Sequence, residues 1–174
     1  MKLLENSIIQ LRALEPEDLE YLFRWENDTT LWQHGCTLAP YSRYELKEYI
    51  AQDSHDLFTH KQLRFMIETK ADHAVVGTID LYDYDPIHQR VGVGIMIDSD
   101  FRQKGFAKQS ITLLSEYVLS FLGLHQMYAY IAESNKISLS IFKQSGFECV
   151  ARLPEWIRQN NVYETVYIFQ MLNK

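Results

Sequence analysis

The residues with the clearest chemical potential lie between Ile95 and Ala107, where an apolar strand pattern runs through a short loop into a helical pattern. The loop contains the basic residues Arg102 and Lys104 and a glycine, Gly105. Backbone N–H groups at a helix start have no partner within the helix, and the helix dipole adds positive potential there. The loop therefore predicts a site for an anion such as a pyrophosphate, although an ordinary strand-to-helix turn with solvated charges would explain the same spacing.

Composition excludes several classes of protein. The chain has 174 residues, 47% of them hydrophobic and 23% charged, which is typical of one globular domain spanning residues 1–174. A net charge of −6 disfavours nucleic acid as a partner, because phosphate binding needs a basic face. The two cysteines, Cys36 and Cys149, are far apart and match no zinc spacing, so no metal site is expected.

Hydropathy predicts neither a leader nor a membrane span. Glu5, Gln10 and Arg12 interrupt the apolar residues near the N-terminus, which a signal peptide would need in one run. The longest uncharged stretch, residues 117–132, is shorter than the ~20 residues that cross a bilayer. We therefore expect a cytoplasmic protein with no membrane partner.

The first half of the chain predicts two helices followed by strands. Residues 8–11 form a short apolar run, Pro16 suits a helix start, and the segment 42–45 has the form of a capping box for a second helix. Alternating apolar residues then predict an antiparallel meander of three strands, at 63–67, 75–82 and 91–97.

In the second half of the chain, the spacing of apolar residues changes from a strand pattern to a helical pattern. Apolar residues spaced by three and four positions from Ala107 to Phe121 predict one face of a helix about four turns long. A strand at 127–132, a helix capped by Ser134 or Asn135, and a hairpin of 149–153 with 162–170 follow. The alternation of strands and helices predicts a parallel crossover. The fold class is therefore α/β, with a mixed sheet whose N-terminal half is antiparallel and whose C-terminal half contains a βαβ unit.

The loop motif Arg102-x-x-Gly105-x-Ala107 resembles the acyl-CoA signature, Q/R-x-x-G-x-G/A, of the GNAT N-acetyltransferases. Asn135 and the segment 145–147 resemble the second cofactor-side motif of that family, and the element order agrees over the whole chain. Residues 78–81 and 163–172 look like the RimJ/RimL branch, which is similar to the spermidine/spermine acetyltransferases. The resemblance implies the GNAT fold, a mixed and mostly antiparallel sheet with one splayed parallel pair and helices on both faces.

The resemblance also implies which residues hold the cofactor, acetyl-CoA. Its pantetheine arm would pair with the backbone of three strand residues, Ile95, Met96 and Ile97. Its pyrophosphate would lie in a cradle of seven loop and helix residues, Arg102, Gln103, Lys104, Gly105, Phe106, Ala107 and Lys108. Asn135 would hydrogen-bond the pantetheine end, while Phe142 would flank the thioester and Lys143 the nucleotide side.

Two positions depart from the polyamine acetyltransferases of this branch. Those relatives use a Tyr on the last helix to protonate the departing thiolate, and the matching Phe142 has no proton to give. They also carry a Glu as a base candidate on the motif strand, where this chain has Gly92. Asp80 and Tyr128 are the first substitute candidates, because both lie on strands beside the expected cleft. The other candidates, each with an ordinary structural explanation as well, are Asp83, His88, His125, Tyr130 and Glu133.

The leading hypothesis is transfer of an acetyl group from acetyl-CoA to a primary amine by direct attack in a ternary complex. The acidic net charge favours a small cationic amine, such as a polyamine, as the acceptor. A protein N-terminus is an alternative acceptor, and the residues Gly92 and Phe142 leave open a non-catalytic sensor that only binds acyl-CoA. The branch includes dimers and larger rings, so a homodimer or a larger homo-oligomer is a further expectation.

Overall fold

The computed structural model describes residues 3–32, 37–52, 56–159 and 161–174 of the chain. Cys36, which the sequence analysis considered as a metal ligand, lies outside the described residues. Within them the chain divides into two compact units, Ala13–His55 and a larger unit of Met1–Arg12 with Asp56–Lys174. That one domain spans residues 1–174 stays a prediction.

One sheet organises the larger unit. Its strands, in the described residues, are β1 (Ile9–Arg12), β2 (Leu63–Thr69), β3 (Val75–Asp85), β4 (Arg90–Ile97), β5 (Gln126–Ala132), β6 (Glu148–Gln159) and β7 (Val162–Leu172). They lie in the order β1-β2-β3-β4-β5-β7-β6. β4 and β5 are parallel, and the other neighbours are antiparallel. The predicted α/β class with a mixed, mostly antiparallel sheet is confirmed, and the parallel pair lies where the strand–helix–strand order predicted it.

Two helices begin at the capping residues that the sequence indicated, whereas at Pro16, the predicted first helix start, a 3-10 turn of Pro16–Asp18 precedes the α-helix. The described helices are α1 (Leu19–Glu26), α2 (Thr29–Trp32), α3 (Arg43–Gln52), α4 (Leu57–His60), α5 (Phe106–Ser115) and α6 (Lys136–Gln144). The capping box before α3 is confirmed, because the Glu45 N–H donates to Ser42 Oγ at 3.1 Å and the Ser42 N–H donates to Glu45 Oε2 at 2.7 Å. The Ser138 N–H donates to Asn135 Oδ1 at 3.1 Å, so Asn135 caps α6.

The smaller unit contains α1, α2 and α3. Arg43 joins two of these helices, since its Nε donates to Glu20 Oε1 at 2.9 Å and its guanidinium lies 3.7 Å from the centre of the Phe23 ring. The side chain of Asn27 follows α1 and bonds both backbone polar groups of Tyr41. These contacts fix the loop ahead of α3 against the end of α1.

The two faces of the sheet in the larger unit have different characters. Alternation along β3 directs the side chains of Ile79 and Leu81 into a buried apolar core. This core also contains Ile111 of α5 and Phe142 of α6. The intervening residues face the other way. Asp80 and Tyr82 lie on this second face, and cross-strand register places Gly92 of β4 and Tyr128 of β5 in line with Tyr82. The second face therefore collects polar and aromatic side chains in the middle of the sheet.

The helix predicted up to Phe121 changes its winding before that residue. It is α-helical as far as Ser115 and π-helical over Glu116–Phe121, where the Leu122 N–H donates to the Tyr117 carbonyl five residues back. The wider turn rotates Phe121 away from the apolar face, and 66% of its surface is exposed. Placing Phe121 on the buried face was wrong for this reason, while Ile111, Leu114 and Val118 are fully buried as predicted.

A substitution at Gly77 on β3 would test how tightly the central strands pack. A Cβ at Gly77 would lie 2.1 Å from the backbone oxygen of Met96, whereas a Cβ at Gly94 would meet nothing closer than the Tyr82 ring at 3.8 Å. We expect Gly77→Ala to lower the free energy of unfolding by about 2 kcal/mol, since overpacking costs ~1–3 kcal/mol. Urea denaturation measures this, with Gly94→Ala as the matched control. Equal stability of the two variants would contradict the close approach.

Candidate active site

The central feature of the site is a gap between β4 and β5. The two strands pair over only three positions, from Arg90 opposite Gln126 to Gly92 opposite Tyr128. Beyond Gly92 each strand continues without the other, to Ile97 on β4 and to Ala132 on β5. Unpaired backbone groups in a sheet need partners. The gap therefore offers the β4 edge, including Ile95, Met96 and Ile97, to an extended ligand.

The loop after β4 presents backbone N–H groups at the start of α5. Gln103 has φ +61° and Gly105 has φ +81°, and these left-handed residues turn the chain sharply before Phe106 begins the helix. No described side chain caps this helix start. The first N–H groups of α5, on Phe106, Ala107 and Lys108, consequently have no partner inside the helix and suit an anion.

Both cations of this loop are folded back onto its backbone. Arg102 Nε donates to the Ile97 carbonyl at 3.2 Å, and Lys104 Nζ donates to the Asp100 carbonyl at 3.1 Å. The Lys104 ammonium also lies 4.9 Å from the centre of the Phe101 ring. These bonds hold two positive charges beside the start of α5, in a loop that is open to solvent.

The predicted cofactor residues on α6 lie in different environments. Asn135 uses its Oδ1 as the cap and has no hydrogen bond from its Nδ2 to another described residue, so the amide N–H groups are available to a ligand. Phe142 is only 3% exposed and packs edge-on against Phe147 at 5.1 Å. Lys143 is exposed and lines an open cavity of about 840 Å³ between α6 and the last two strands, with Tyr167 on its far wall.

Asp80 lies on the second face of the sheet but is already paired. Arg64 Nε and Nη2 donate to its two carboxylate oxygens at 2.7 and 3.1 Å. A carboxylate held by two charge-assisted bonds has its lone pairs engaged. Asp80 is thus placed near the gap, as predicted, with Arg64 as a charge partner that the sequence did not reveal.

Tyr128 belongs to an aromatic cluster at the gap. Its ring contacts Tyr82 and Tyr130 edge-on, with ring centres 6.1 and 5.6 Å away. Burial raises the pKa of Tyr128, and the nearby Asp83 carboxylate raises it further. A tyrosine in this state keeps its proton at neutral pH. The side chain therefore suits donation of a hydrogen bond better than removal of a proton.

Some of the remaining acid/base candidates lie at the aromatic cluster, and the others lie elsewhere in the fold. Tyr130 is 48% exposed beside Tyr128, and Asp83 is exposed near both Tyr82 and Tyr128. His88 and His125 flank the paired ends of β4 and β5, away from the gap. Glu133 follows β5 and accepts the Tyr167 hydroxyl at 2.8 Å. The structure thus brings Asp80, Tyr128 and Tyr130 to the second face and Asp83 close to Tyr82 and Tyr128, and it leaves the two histidines outside this cluster.

Sequence reasoning missed Tyr82, the residue at the centre of this cluster. A Cβ at Gly92 would lie 2.3 Å from Cε2 of the Tyr82 ring, so the ring occupies the space of the absent side chain. Two signals were available in the sequence. Tyr82 alternates with Asp80 along one strand, and a glycine stands in the middle of the otherwise apolar β4 pattern.

Among the described residues, no group of three or more His, Cys, Asp and Glu residues is arranged to hold a metal ion. No helix in the described part of the chain has the length and apolar character needed to cross a membrane.

Comparisons with known proteins agree on one family. The family model described as "Acetyltransferase (GNAT) domain" matches residues 9–148. A spermidine N(1)-acetyltransferase of Vibrio cholerae is 29% identical over 169 residues, covering 95% of each chain. A spermidine N(1)-acetyltransferase of Escherichia coli is 26% identical over 146 residues, covering 83% of this chain and 75% of the relative.

Solved structures give the same result. The Vibrio cholerae spermidine N-acetyltransferase in complex with CoA and spermine matches with a TM-score of 0.85 at 28% identity, over 97% of both chains. A dodecameric structure of a spermidine N-acetyltransferase from the same organism, in an intermediate state, matches with a TM-score of 0.80 at 29% identity. It covers 97% of this chain and 95% of that one.

The loop before α5 can be tested through CoA binding. Arg102→Ala removes a cation beside the uncapped helix start, so we expect the Kd for acetyl-CoA to rise about tenfold, a change of ~1.4 kcal/mol. The effect should shrink at high salt, because exposed charges are screened. Isothermal titration calorimetry measures it. Lys174→Ala, an exposed cation at the other end of the chain, is the control, and an equal Kd for both variants would refute a role in anion binding.

Proposed function

The chain belongs to the GNAT acetyltransferase family and is an N-acetyltransferase that uses acetyl-CoA, and we propose that its acceptor is a small cationic amine such as a polyamine. The observation that carries this proposal is the cluster of tyrosines where β4 and β5 separate, with the exposed Asp83 carboxylate near Tyr82 and Tyr128 on the side of the paired strand ends. The two spermidine acetyltransferases similar to this chain support the same substrate class.

Aromatic rings and an acid suit a polyamine for separate reasons. The faces and edges of Tyr82, Tyr128 and Tyr130 offer apolar surface to methylene groups and cation–π contact to an ammonium. Asp83 has no ion-pair partner among the described residues, whereas its neighbours on β3 are paired, Asp80 with Arg64 and Asp85 with Arg90. Asp83 is therefore the acid of β3 that is left for a second positive charge on the substrate.

The reaction we propose is direct attack within a ternary complex. Acetyl-CoA would extend along the open edge of β4, with its pyrophosphate at the start of α5. The neutral amine would attack the thioester carbon from the second face of the sheet. A backbone N–H near Met96 or Ile97 would donate to the oxygen that becomes negative in the transition state, and such preplaced donors are effective because they need no reorganisation.

Four narrower statements remain proposals. The chain is proposed to belong to the RimJ/RimL-like branch and to act in the cytoplasm as a single domain. It is also proposed to form a homo-oligomer, because one similar structure is dodecameric and β6 leaves a sheet edge with Trp156 61% exposed. Light scattering of the purified protein would reveal a monomer if this last proposal is wrong.

A panel of amines tests the acceptor class. Release of CoA thiol is measured with acetyl-CoA and spermidine, spermine, amino-acid amides or short peptides. We expect turnover to be fastest with the polyamines. Turnover confined to peptides would indicate a protein N-terminal acetyltransferase instead. Stabilisation by acetyl-CoA in a thermal-shift assay without any turnover would favour the sensor alternative.

Asp83 provides a sharper test of charge recognition. Asp83→Asn should raise the KM for spermidine about threefold, in line with the ~0.2–1 kcal/mol of an exposed ion pair, and should leave kcat nearly unchanged. The KM for hexylamine, which has no second ammonium, should not change. Glu116→Gln on the exposed side of the π-helical turn is the control. A parallel rise for both amines would show that Asp83 does not recognise the remote charge.

A further inference from the structure

Tyr82 fills the place of a side chain at position 92. Register sets Tyr82 directly opposite Gly92, and a Cβ on Gly92 would lie 2.3 Å from Cε2 and 2.5 Å from Cζ of the ring. The same ring lies 3.8 Å from the Cβ position of Gly94. The aromatic ring therefore extends from β3 across β4, because the residue beneath it is a glycine.

The hydroxyl of Tyr82 lies where β4 and β5 separate. The ring contacts Tyr128, which is the last β5 residue paired with β4. The backbone N–H of Tyr130, two residues further on, lies near the Tyr82 hydroxyl. Tyr130 has no register partner on β4, so the hydroxyl lies beside the part of β5 that the departing strand leaves uncovered.

This arrangement makes the hydroxyl a donor. The Tyr82 O–H donates to no described group, so it remains to be donated into the gap. The titratable groups that face it are Tyr128 and Tyr130 from β5 and Asp83 from β3. Burial raises the pKa of Tyr82, and the neighbouring Tyr128 adds to the effect, so the proton is retained through neutral pH.

We propose that Tyr82 donates the proton to the departing CoA thiolate, a task for which Phe142 on α6 has no group. The amine nitrogen forms a bond to the thioester carbon, and the C–S bond breaks with its electron pair going to sulfur. The Tyr82 O–H proton passes to that sulfur and leaves a phenolate. The proton lost by the attacking nitrogen then returns to the phenolate, so the products are the amide and the CoA thiol.

The inference rests on the acetyltransferase activity but not on the identity of the amine. It is tested with spermidine, or with the amine of the panel that the wild-type protein acetylates fastest. Failure of the polyamine proposal would appear in the wild-type protein, whereas failure of this inference appears only in the variants.

The decisive variant is Tyr82→Phe, which keeps the ring above Gly92 and removes only the hydroxyl. Loss of a general acid should lower kcat by about 10²-fold, with the amine KM, the Kd for acetyl-CoA and the Tm near wild type. Tyr84→Phe is the matched control, because it removes a hydroxyl from the same strand at a ring that packs against Phe58. A loss of kcat below threefold, or one accompanied by a similar loss of CoA affinity, would overturn the proposal.

A second variant separates proton donation from a structural role of the Tyr82 hydroxyl. Phe142→Tyr, added to Tyr82→Phe, supplies a hydroxyl on α6, which is where the resemblance places the donor. We expect the double variant to recover at least tenfold of the lost kcat. A double variant with wild-type Tm and no recovery would assign the Tyr82 hydroxyl to a structural role. If the double variant does not fold, the Tyr82→Phe variant alone decides between the two roles. A loss of kcat without a similar loss of CoA affinity then supports proton donation.

Discussion

The incomplete pairing of β4 with β5 is the constraint on which the rest of the structure depends. Three hydrogen-bonded positions hold the strands together, and beyond Gly92 they separate. Backbone groups left unpaired inside a sheet must find partners elsewhere. The gap leaves the edge of β4 open, and this is the edge proposed for acetyl-CoA. The loop with the uncapped start of α5 follows β4 directly, and the cap of α6 follows β5.

The shape of the gap depends on a large side chain of β3 filling the space above a glycine of β4. Gly92 contributes no side chain, and the Tyr82 ring from the adjacent strand lies in the space that results. Tyr82 and Gly92 are consequently a matched pair, since a larger residue at position 92 would collide with the ring as it is placed. This packing accounts in steric terms for the glycine at a position where polyamine acetyltransferases of the resembled branch have a Glu.

The three aspartates of β3 differ in whether they have an ion-pair partner. Asp80 and Asp85 are each neutralised by an arginine on a neighbouring strand, at 2.7 and 3.2 Å. Asp83 between them is exposed, has φ +49° and has no ion-pair partner among the described residues. The net charge of −6 therefore says little about the site, because two of the three carboxylates on β3 are already paired.

Local pattern was enough to predict most elements of this protein and the loop before the uncapped helix start of α5. The capping box at Ser42, the alternation along the meander and the Arg102–Ala107 motif depend on near neighbours in the chain, so their consequences could be predicted. The positions of Tyr82, Arg64 and Phe121 could not. The first two act through cross-strand register, which pairs residues distant in sequence, and the third depends on a π-helical turn that shifts the helical period. Tertiary structure alone decided which tyrosine reaches the gap and which aspartate keeps an unpaired charge, because both depend on contacts between strands rather than on spacing along one.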